Sequence, residues 1–276
     1  MATITAQDIN KLRQATGAGM MDCRKALTET NGDFEAAIDW LRKQGQKVAA
    51  KRSDREAKEG VVIAQTSPDH KTGIVVCVSC ETDFVSKNQD FVDFVQGIAD
   101  AAISSNVKTI EELKEAEVNG AKVSDLINDK LASIGEKIDL TKFERVDAPY
   151  VASYIHGANR IGVLVGMDKE SEEVGKNIAM QVAALSPVAV DADSVPADIV
   201  SREKSLIMEM MKEDPKMAGK PEEMLSKIAE GKLGAFFKEQ TLTAQAYVKD
   251  GGKSVAEYLK ENGDVKVTQF TRVALG

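Results

Sequence analysis

The chain has 276 residues and a mass of 29.8 kDa, with 43% hydrophobic and 29% charged residues, a composition that excludes wholesale disorder. Its 44 acidic residues outnumber its 36 basic residues, and the formal net charge of −8 argues against a protein whose main role is to bind nucleic acid. Three cysteines without a recognisable secretory signal or membrane-length apolar run predict a soluble, cytoplasmic protein in a reducing compartment.

The first 45 residues have the pattern of three short helices separated by turn signals. Residues 16–19 interrupt the first helix, and residues 20–30 form the second. Asp33 is placed to cap a third helix, whose apolar residues form one stripe: Phe34, Ala37, Ile38 and Leu41. We therefore expect a small three-helix bundle, followed by a polar helix or linker over residues 42–58.

After Gly60 the hydrophobic period changes from about 3.6 residues to about 2. Residues 61–64 and 73–78 are β-rich runs joined by a turn cluster, which predicts a hairpin, and an amphipathic helix follows. The same order of strand, turn, strand and helix recurs with strands at 150–155 and 162–165. The pattern predicts an α+β fold with two pseudo-repeated subdomains.

The remaining segments are predominantly helical. Residues 109–134 are predicted to form helical connections between the two repeats. Residues 197–212 and 222–238 have sparse apolar positions, which is typical of a helical hairpin that projects from the core. A short helix is predicted at 255–259, and an alternating run at 265–273 predicts a final strand.

The sequence has no recognisable catalytic or cofactor-binding motif. Its two histidines, His70 and His156, belong to no metal-ligand pattern. Cys77 and Cys80 form a C-x-x-C motif on a predicted strand, where these positions point to opposite faces, so buried structural thiols are favoured. Glycine-containing segments lack the partner glycines of a dinucleotide or phosphate loop. We expect no enzymatic activity, no cofactor and no metal.

Two segments combine turn positions with unusual side chains. Residues 80–87 lie where a strand ends before a helix begins, and Asp83 there could serve as a helix N-cap. Phe84 either packs on the chain's own core or is held out as a wedge, and the local pattern favours packing. In residues 16–27, small residues permit close backbone approach and adjacent methionines form an adaptable apolar patch. A docking surface and simple helix packing both fit that segment.

Several motifs in fixed order resemble one family. The first is Leu12-Arg13, Thr16-Gly17 and Gly19-Met20-Met21-Asp22-Cys23-Arg24-Lys25-Ala26-Leu27, and the second is Glu81-Thr82-Asp83-Phe84-Val85. Further similar stretches follow at residues 154–156, 160–165 and 179–184. With these motifs the sequence resembles the bacterial translation elongation factor Ts family over essentially its whole length.

This resemblance implies a domain organisation and an activity. Members of the family are guanine nucleotide exchange factors for elongation factor Tu, the GTPase that carries aminoacyl-tRNA to the ribosome. The implied architecture is a UBA-like three-helix module at 1–52, a core N-subdomain at 53–145 and a core C-subdomain at 146–276. A protruding antiparallel helical hairpin at 195–232 interrupts the C-subdomain.

The resemblance also implies which residues contact the GTPase. The wedge near the magnesium site of the GTPase consists of Thr82, Asp83, Phe84 and Val85, which reverses the local expectation for Phe84. A second contact from the core consists of His156 and Arg160. The N-terminal module docks through Leu12, Thr16, Gly17, Gly19, Met20 and Met21. The implied partner is elongation factor Tu in its GDP-bound and nucleotide-free states, with no nucleic acid or membrane, and a weak homodimer through the hairpin is a further expectation.

Two other functions compete with this interpretation. A nucleic-acid-binding or ribosome-binding module is suggested by a local run of basic residues: Arg42, Lys43, Lys47, Lys51, Arg52, Arg55 and Lys58. A solvated helix face is favoured for this run because no aromatic residues interleave to stack on bases. A purely structural ubiquitin-like binding module would explain residues 1–45 and leave the rest of the chain without a role.

Overall fold

The computed structural model describes residues 4–52, 54–214, 217 and 220–276. The helices of these residues are α1 (Ala6–Thr16), α2 (Met20–Glu29), α3 (Phe34–Arg52), α4 (Asp83–Ser86), α5 (Gln89–Ser104), α6 (Ile110–Glu115), α7 (Val123–Ile134), α8 (Glu172–Leu185), α9 (Ala197–Glu213), α10 (Glu222–Gln240) and α11 (Val255–Glu261). The strands are β1 (Glu59–Thr66), β2 (Thr72–Cys80), β3 (Glu117–Val118), β4 (Ala121–Lys122), β5 (Ile138–Asp147), β6 (Tyr150–His156), β7 (Ile161–Met167), β8 (Ala246–Tyr247), β9 (Asp250–Ser254) and β10 (Val267–Ala274).

The three N-terminal helices begin and end at capping residues. Thr5 and Asp8 form a reciprocal capping box at the start of α1, and Gly17, in the left-handed region with φ 67°, ends that helix. Asp33 caps α3 as predicted, since its Oδ1 accepts a hydrogen bond of 2.9 Å from the Ala36 N–H. The helices enclose a small core of buried residues: Leu12, Ala18, Cys23, Ala26, Leu27 and Ala37. The third helix continues to Arg52, so most of the predicted polar segment belongs to α3.

The predicted repeat of strand, turn, strand and helix is present in both halves of the core. One antiparallel sheet has the order β1-β2-β5, and the other has the order β10-β7-β6. In each sheet the second strand of the hairpin, β2 or β7, is central. A strand from later in the chain, β5 or β10, pairs with its other edge. The helix that follows each hairpin, α5 or α8, packs against one face of its own sheet.

The two sheets pack against each other through their remaining faces. This contact consists of small and branched apolar side chains from both sheets: Val62, Ala64, Val75, Cys77, Val146, Val151, Leu164 and Val273. The core therefore has four layers, in the order helix, sheet, sheet and helix. This contact holds the β1–β2 hairpin and the β6–β7 hairpin together in one unit.

Two glycines allow the sheets to approach closely. An added Cβ at Gly73 would lie 2.7 Å from a Val151 methyl carbon and 2.8 Å from Leu164, both in the second sheet. An added Cβ at Gly162 would lie 2.7 Å from Val62 in the first sheet. Each glycine is the second residue of the central strand of its sheet, so the repeat places equivalent glycines at the interface.

The third strand of the first sheet was not predicted from the sequence. Strand β5 covers Ile138–Asp147 and pairs with β2, so the expected subdomain boundary between residues 145 and 146 falls within a strand. A bulge at Thr141 of β5, opposite Cys77 and Val78 of β2, interrupts the pairing and breaks the alternation of apolar residues in β5. The predicted helical connection at 109–134 also contains the small hairpin of β3 and β4.

The helical hairpin consists of α9 and α10, which share a small apolar cluster around Ile207, Met211 and Leu233. Helix α10 begins at the predicted residue 222 and ends at Gln240, two residues after the predicted end of the helix at 238 and beyond residue 232, where the resemblance ends the hairpin. Between the two helices, residues 215, 216, 218 and 219 lie outside the described residues. Several apolar side chains of the hairpin are exposed: Leu206, Met208, Met210 and Met224.

We predict that Gly162→Ala destabilises the fold by about 1–3 kcal/mol, because the new methyl group overpacks the contact between the sheets. Gly234→Ala in α10 is the matched control, since nothing lies within 4 Å of an added Cβ there. The control should stabilise the protein by up to about 1 kcal/mol through helix propensity. Urea unfolding measures both changes, and equal stability of Gly162→Ala and the unmodified chain would show that the close approach does not constrain the fold.

Candidate functional site

The segment 82–85 lies at an exposed end of the first sheet, immediately after β2. Residues Asp83–Ser86 form the short helix α4, and the Phe84 side chain on it is 85% exposed. Val85 points the other way and packs against the core of the first subdomain. The local expectation that Phe84 packs on its own core is therefore wrong. A large aromatic side chain is held out in solvent by a segment whose neighbouring residue is anchored.

Two carboxylates hold the residues immediately before Phe84. Glu136 accepts hydrogen bonds from the Thr82 N–H at 3.1 Å and from the Thr82 hydroxyl at 2.8 Å. Glu81 accepts a hydrogen bond from the Lys137 N–H at 2.6 Å and is paired with Arg55 at 3.2 Å. The Lys137 N–H, together with the Arg55 guanidinium, lowers the pKa of Glu81 from its usual value. The backbone that carries Phe84 is thus fixed by charge-assisted hydrogen bonds.

Asp83 makes an ion pair and does not serve as the predicted helix cap. Its Oδ2 accepts a hydrogen bond of 2.6 Å from the Lys87 ammonium, which lowers the pKa of Asp83. Asn88 caps the following helix, α5, by accepting a hydrogen bond of 2.8 Å from the Asp90 N–H. The Asp83 carboxylate is therefore ionised at neutral pH and beside the exposed ring. An exposed pair of this kind is weak enough to exchange partners.

The two cysteines of the C-x-x-C motif lie on opposite faces of β2, as predicted. Cys77 packs between the sheets, whereas Cys80 packs in the core beneath α5. The Cys80 thiol donates a hydrogen bond to the Thr82 carbonyl at 3.2 Å, and burial raises its pKa to about 12. Cys80 is consequently a structural support beneath the segment 82–85 and not a nucleophile at neutral pH.

The second predicted contact is the turn between β6 and β7. His156 is exposed, and its Nδ1 lies 3.1 Å from the Tyr154 hydroxyl. Arg160 forms an ion pair with Glu59, with 2.8 Å between Nη1 and Oε2. The Asn159 carbonyl accepts a hydrogen bond of 2.8 Å from the Val62 N–H, which attaches this turn to β1.

The structure brings both predicted core contacts to the same end of the two packed sheets. Glu59, which binds Arg160, lies opposite Cys80 in the register of β1 and β2. Cys80 in turn precedes the segment 82–85 by two positions. Glu59 and Glu136 were not identified from the sequence, because a solvated glutamate and one that bridges distant segments have the same local pattern.

The N-terminal module presents two exposed methionines beside a tight interhelical turn. Met20 is 54% exposed and Met21 is 73% exposed, so simple helix packing does not account for them. The turn contains Gly17 and Gly19, which end α1 and begin α2.

Of two other predicted docking residues of the module, Thr16 is half-buried and Leu12 is buried. The Thr16 hydroxyl donates a hydrogen bond of 2.7 Å to the Leu12 carbonyl. Leu12 is fully buried in the core of the module, so it cannot contact a partner directly. Its expected role as a docking residue is corrected to one of supporting the turn.

An open cleft of about 540 Å³ lies between the N-terminal module and the helices α5 and α7. Its walls include Trp40 from the module and Phe94 from α5. Arg42 reaches across to Asp129 at 3.9 Å, and burial raises the pKa of Asp129. The cleft therefore marks a contact between the module and α7 that includes one ion pair.

Three of the seven residues in the basic run that suggested nucleic-acid binding are paired with carboxylates of the chain itself. Arg42, Arg55 and Lys58 are paired with Asp129, Glu81 and Glu56, respectively. The side chain of Lys51 lies outside the described residues. These pairs interrupt the positive surface that a nucleic acid requires, which weakens this alternative.

Neither a metal site nor a membrane span is present in the part of the chain that the structure describes. Its His, Cys, Asp and Glu residues form no group of three or more that could hold a metal ion. Its helices are too short or too polar to cross a bilayer.

Comparison with known proteins agrees with the motifs. The model of the family described as Elongation factor TS matches residues 81–276. An elongation factor Ts from Christiangramia forsetii is 48% identical over 280 residues, which cover 100% of both chains. The corresponding protein of Flavobacterium psychrophilum is 46% identical with the same coverage, and that of Methylococcus capsulatus is 43% identical over 99% of this chain and 92% of its own. The chain belongs to the elongation factor Ts family.

Proposed function

We propose that this protein is a guanine nucleotide exchange factor for elongation factor Tu in translation elongation. Membership of the elongation factor Ts family supports this role. The observation that carries it is the 85% exposure of Phe84 on a segment fixed by Glu136 and Glu81. The activity requires no covalent chemistry, because the factor only favours a nucleotide-poor conformation of the GTPase.

An exposed, fixed phenylalanine suits insertion into a partner. Leaving the ring in water contributes nothing to this chain's own stability, whereas burying it elsewhere contributes about 1.5–3 kcal/mol. Because the segment is already ordered by hydrogen bonds, little conformational entropy is lost when the ring enters the partner. We assign Phe84 as the wedge, with Thr82, Asp83 and Val85 as the residues that surround and support it.

Burial of one ring is too small to account for exchange by itself. An acceleration of GDP release by about 10⁴ requires about 5.5 kcal/mol off the barrier. The remainder must come from a weakened phosphate site, where Mg²⁺ is the largest local charge. In this mechanism the wedge shifts helices of the GTPase that support the Mg²⁺ ligands. The Asp83 carboxylate leaves Lys87 and accepts hydrogen bonds from the displaced segment.

The other contacts supply affinity and leverage. His156 and Arg160 lie at the same end of the packed sheets as Phe84, so one rigid body presents both contacts to the GTPase. The N-terminal module docks separately through Met20 and Met21, whose flexible side chains adapt to an apolar partner surface. Linkage requires this protein and GDP to weaken each other's binding to the GTPase to the same extent. The protein therefore binds the GDP-bound GTPase and binds the nucleotide-free GTPase most tightly.

The remaining expectations follow from the same activity. Binding to the GTPase involves neither nucleic acid nor a membrane, and elongation takes place in the cytoplasm. A weak homodimer through the hairpin remains a prediction, which the exposed Leu206, Met208, Met210 and Met224 support.

We predict that Phe84→Ala lowers the maximal rate of GDP release from elongation factor Tu by at least about tenfold, since it removes the wedge. The stability of the factor should change by less than about 0.5 kcal/mol, because the ring is already exposed. Stopped-flow release of labelled GDP measures the rate. Val248→Ala, which shortens another exposed apolar side chain outside the proposed contacts, is the control. Full stimulation by Phe84→Ala would contradict the wedge assignment.

We predict a different kinetic effect for Met21→Ala. The concentration of factor needed for half-maximal stimulation should rise about fivefold, while the maximal rate stays unchanged, because docking contributes equally before and during release. Met210→Ala on the hairpin provides a matched methionine control with 56% exposure. A lowered maximal rate at saturating Met21→Ala would instead place this residue in the release step.

A further inference from the structure

We infer that Glu136 is a positioning residue for Phe84, one that sets the direction in which the ring leaves the surface. This inference rests on the proposed function, because it assumes that the orientation of Phe84 governs GDP release. Glu136 itself is half-buried in the loop between α7 and β5 and belongs to none of the proposed contacts.

The first observation is that side chains continue the sheet where the backbone pairing stops. Strands β2 and β5 pair antiparallel up to Cys80 opposite Ile138. One position further, the Glu81 carboxylate accepts from the Lys137 N–H, and one position beyond that, Glu136 accepts twice from Thr82. These bonds connect residue 81 to residue 137 and residue 82 to residue 136, which is the register that the strands would have had.

The second observation concerns what else holds the segment. Helix α4 is a single turn, and its N-cap residue, Thr82, donates or accepts no side-chain hydrogen bond that caps it. Val85 is anchored in the core, whereas Phe84 and the Lys87 ammonium face solvent. The start of the turn from which the ring projects is therefore fixed by the two bonds to Glu136 and by the weaker bond that the Cys80 thiol donates to the Thr82 carbonyl. Without them, the chain could pivot about Val85 and redirect Phe84.

The third observation is that Glu136 directly follows the capped end of a well-packed helix, α7. Helix α7 ends at Ile134, and the Gly135 N–H donates to the Leu131 carbonyl at 2.8 Å in a left-handed cap. The same helix packs closely on α3, where an added Cβ at Gly45 would lie 3.2 Å from Ala132. The loop that holds Thr82 is thereby attached to the helix that also supports the N-terminal module.

A purely structural role for Glu136 predicts a different outcome from a positioning role. If the carboxylate only stabilised the fold, its loss would lower the amount of folded factor and leave each folded molecule fully active. If it positions Phe84, its loss lowers the maximal rate of folded factor without weakening docking. Misplacement of a critical group by about 1 Å can cost up to about 10²-fold in rate.

The experiment compares Glu136→Ala, Glu136→Gln and Thr82→Val in the full chain. Stopped-flow release of labelled GDP from elongation factor Tu is measured against factor concentration, to separate the maximal rate from the half-saturating concentration. We expect Glu136→Ala to lower the maximal rate about tenfold and to change the half-saturating concentration by less than about twofold. Glu115→Ala, which removes an exposed carboxylate paired with Lys122, is the control.

The conservative variants sharpen this test. Glu136→Gln should restore most of the rate, because its amide oxygen accepts from the Thr82 N–H and its amide nitrogen donates to the hydroxyl oxygen. Thr82→Val keeps the backbone bond and loses the hydroxyl bond, so its rate should lie between those of Glu136→Ala and the unmodified chain. In Glu136→Ala, hydrogen exchange should accelerate at the amides of residues 82–86 and stay unchanged in β2.

A double variant separates failure of this inference from failure of the proposed function. On a Phe84→Ala background, Glu136→Ala should change the maximal rate by less than about twofold, since the ring it positions is gone. If Phe84→Ala alone leaves release unchanged, the proposed function fails. If Phe84→Ala slows release but Glu136→Ala has no effect, or acts equally on both backgrounds, the positioning role of Glu136 is overturned.

Discussion

The contact between the two sheets is the constraint on which the rest of the molecule depends. Each three-stranded sheet has apolar side chains on both faces. A helix covers one face of each sheet, and only the other sheet covers the remaining face. Gly73 and Gly162 bring the sheets close enough for their branched side chains to meet. The Phe84 segment follows the end of β2, and the turn between β6 and β7 carries His156 and Arg160. The same contact between the sheets therefore fixes the distance between these two segments.

Local patterns were sufficient to predict much of this architecture. The change of hydrophobic period after Gly60 and its recurrence near Tyr150 identified both hairpins and both helices of the repeat, because each element buries one continuous face. Strand β5 escaped prediction because a bulge disrupts its alternation. For Phe84, burial is the usual state of a phenylalanine, so local reasoning favoured the wrong environment and only the family resemblance indicated exposure.

The parts of the site that the sequence could not reveal are its long-range polar connections. Glu59 lies about a hundred positions before Arg160, and Glu136 lies more than fifty positions after Thr82. Nothing in the neighbours of either glutamate distinguishes it from a solvated side chain. These bonds depend on the register and on the packing of separate elements, which are tertiary properties. The sequence therefore identifies a side chain proposed to contact a partner, such as Phe84, more readily than the side chains that would orient it, such as Glu136.

Reciprocal linkage explains why rigid and adaptable contacts would both be useful in an exchange factor. Any contact that contributes equally with and without GDP strengthens the complex but cannot expel the nucleotide, whereas a coupled contact must be opposed by GDP to the same extent. Flexible methionines such as Met20 and Met21 suit the first task, since they adapt to whichever conformation is present. In the proposed mechanism the second task requires a ring that keeps its position against the resistance of the GTPase, because a compliant Phe84 would bend aside and leave the phosphate site intact. The carboxylates of Glu81 and Glu136, which hold the backbone just before Phe84, would supply that stiffness. The stability of the two packed sheets offsets the conformational entropy lost in fixing this segment.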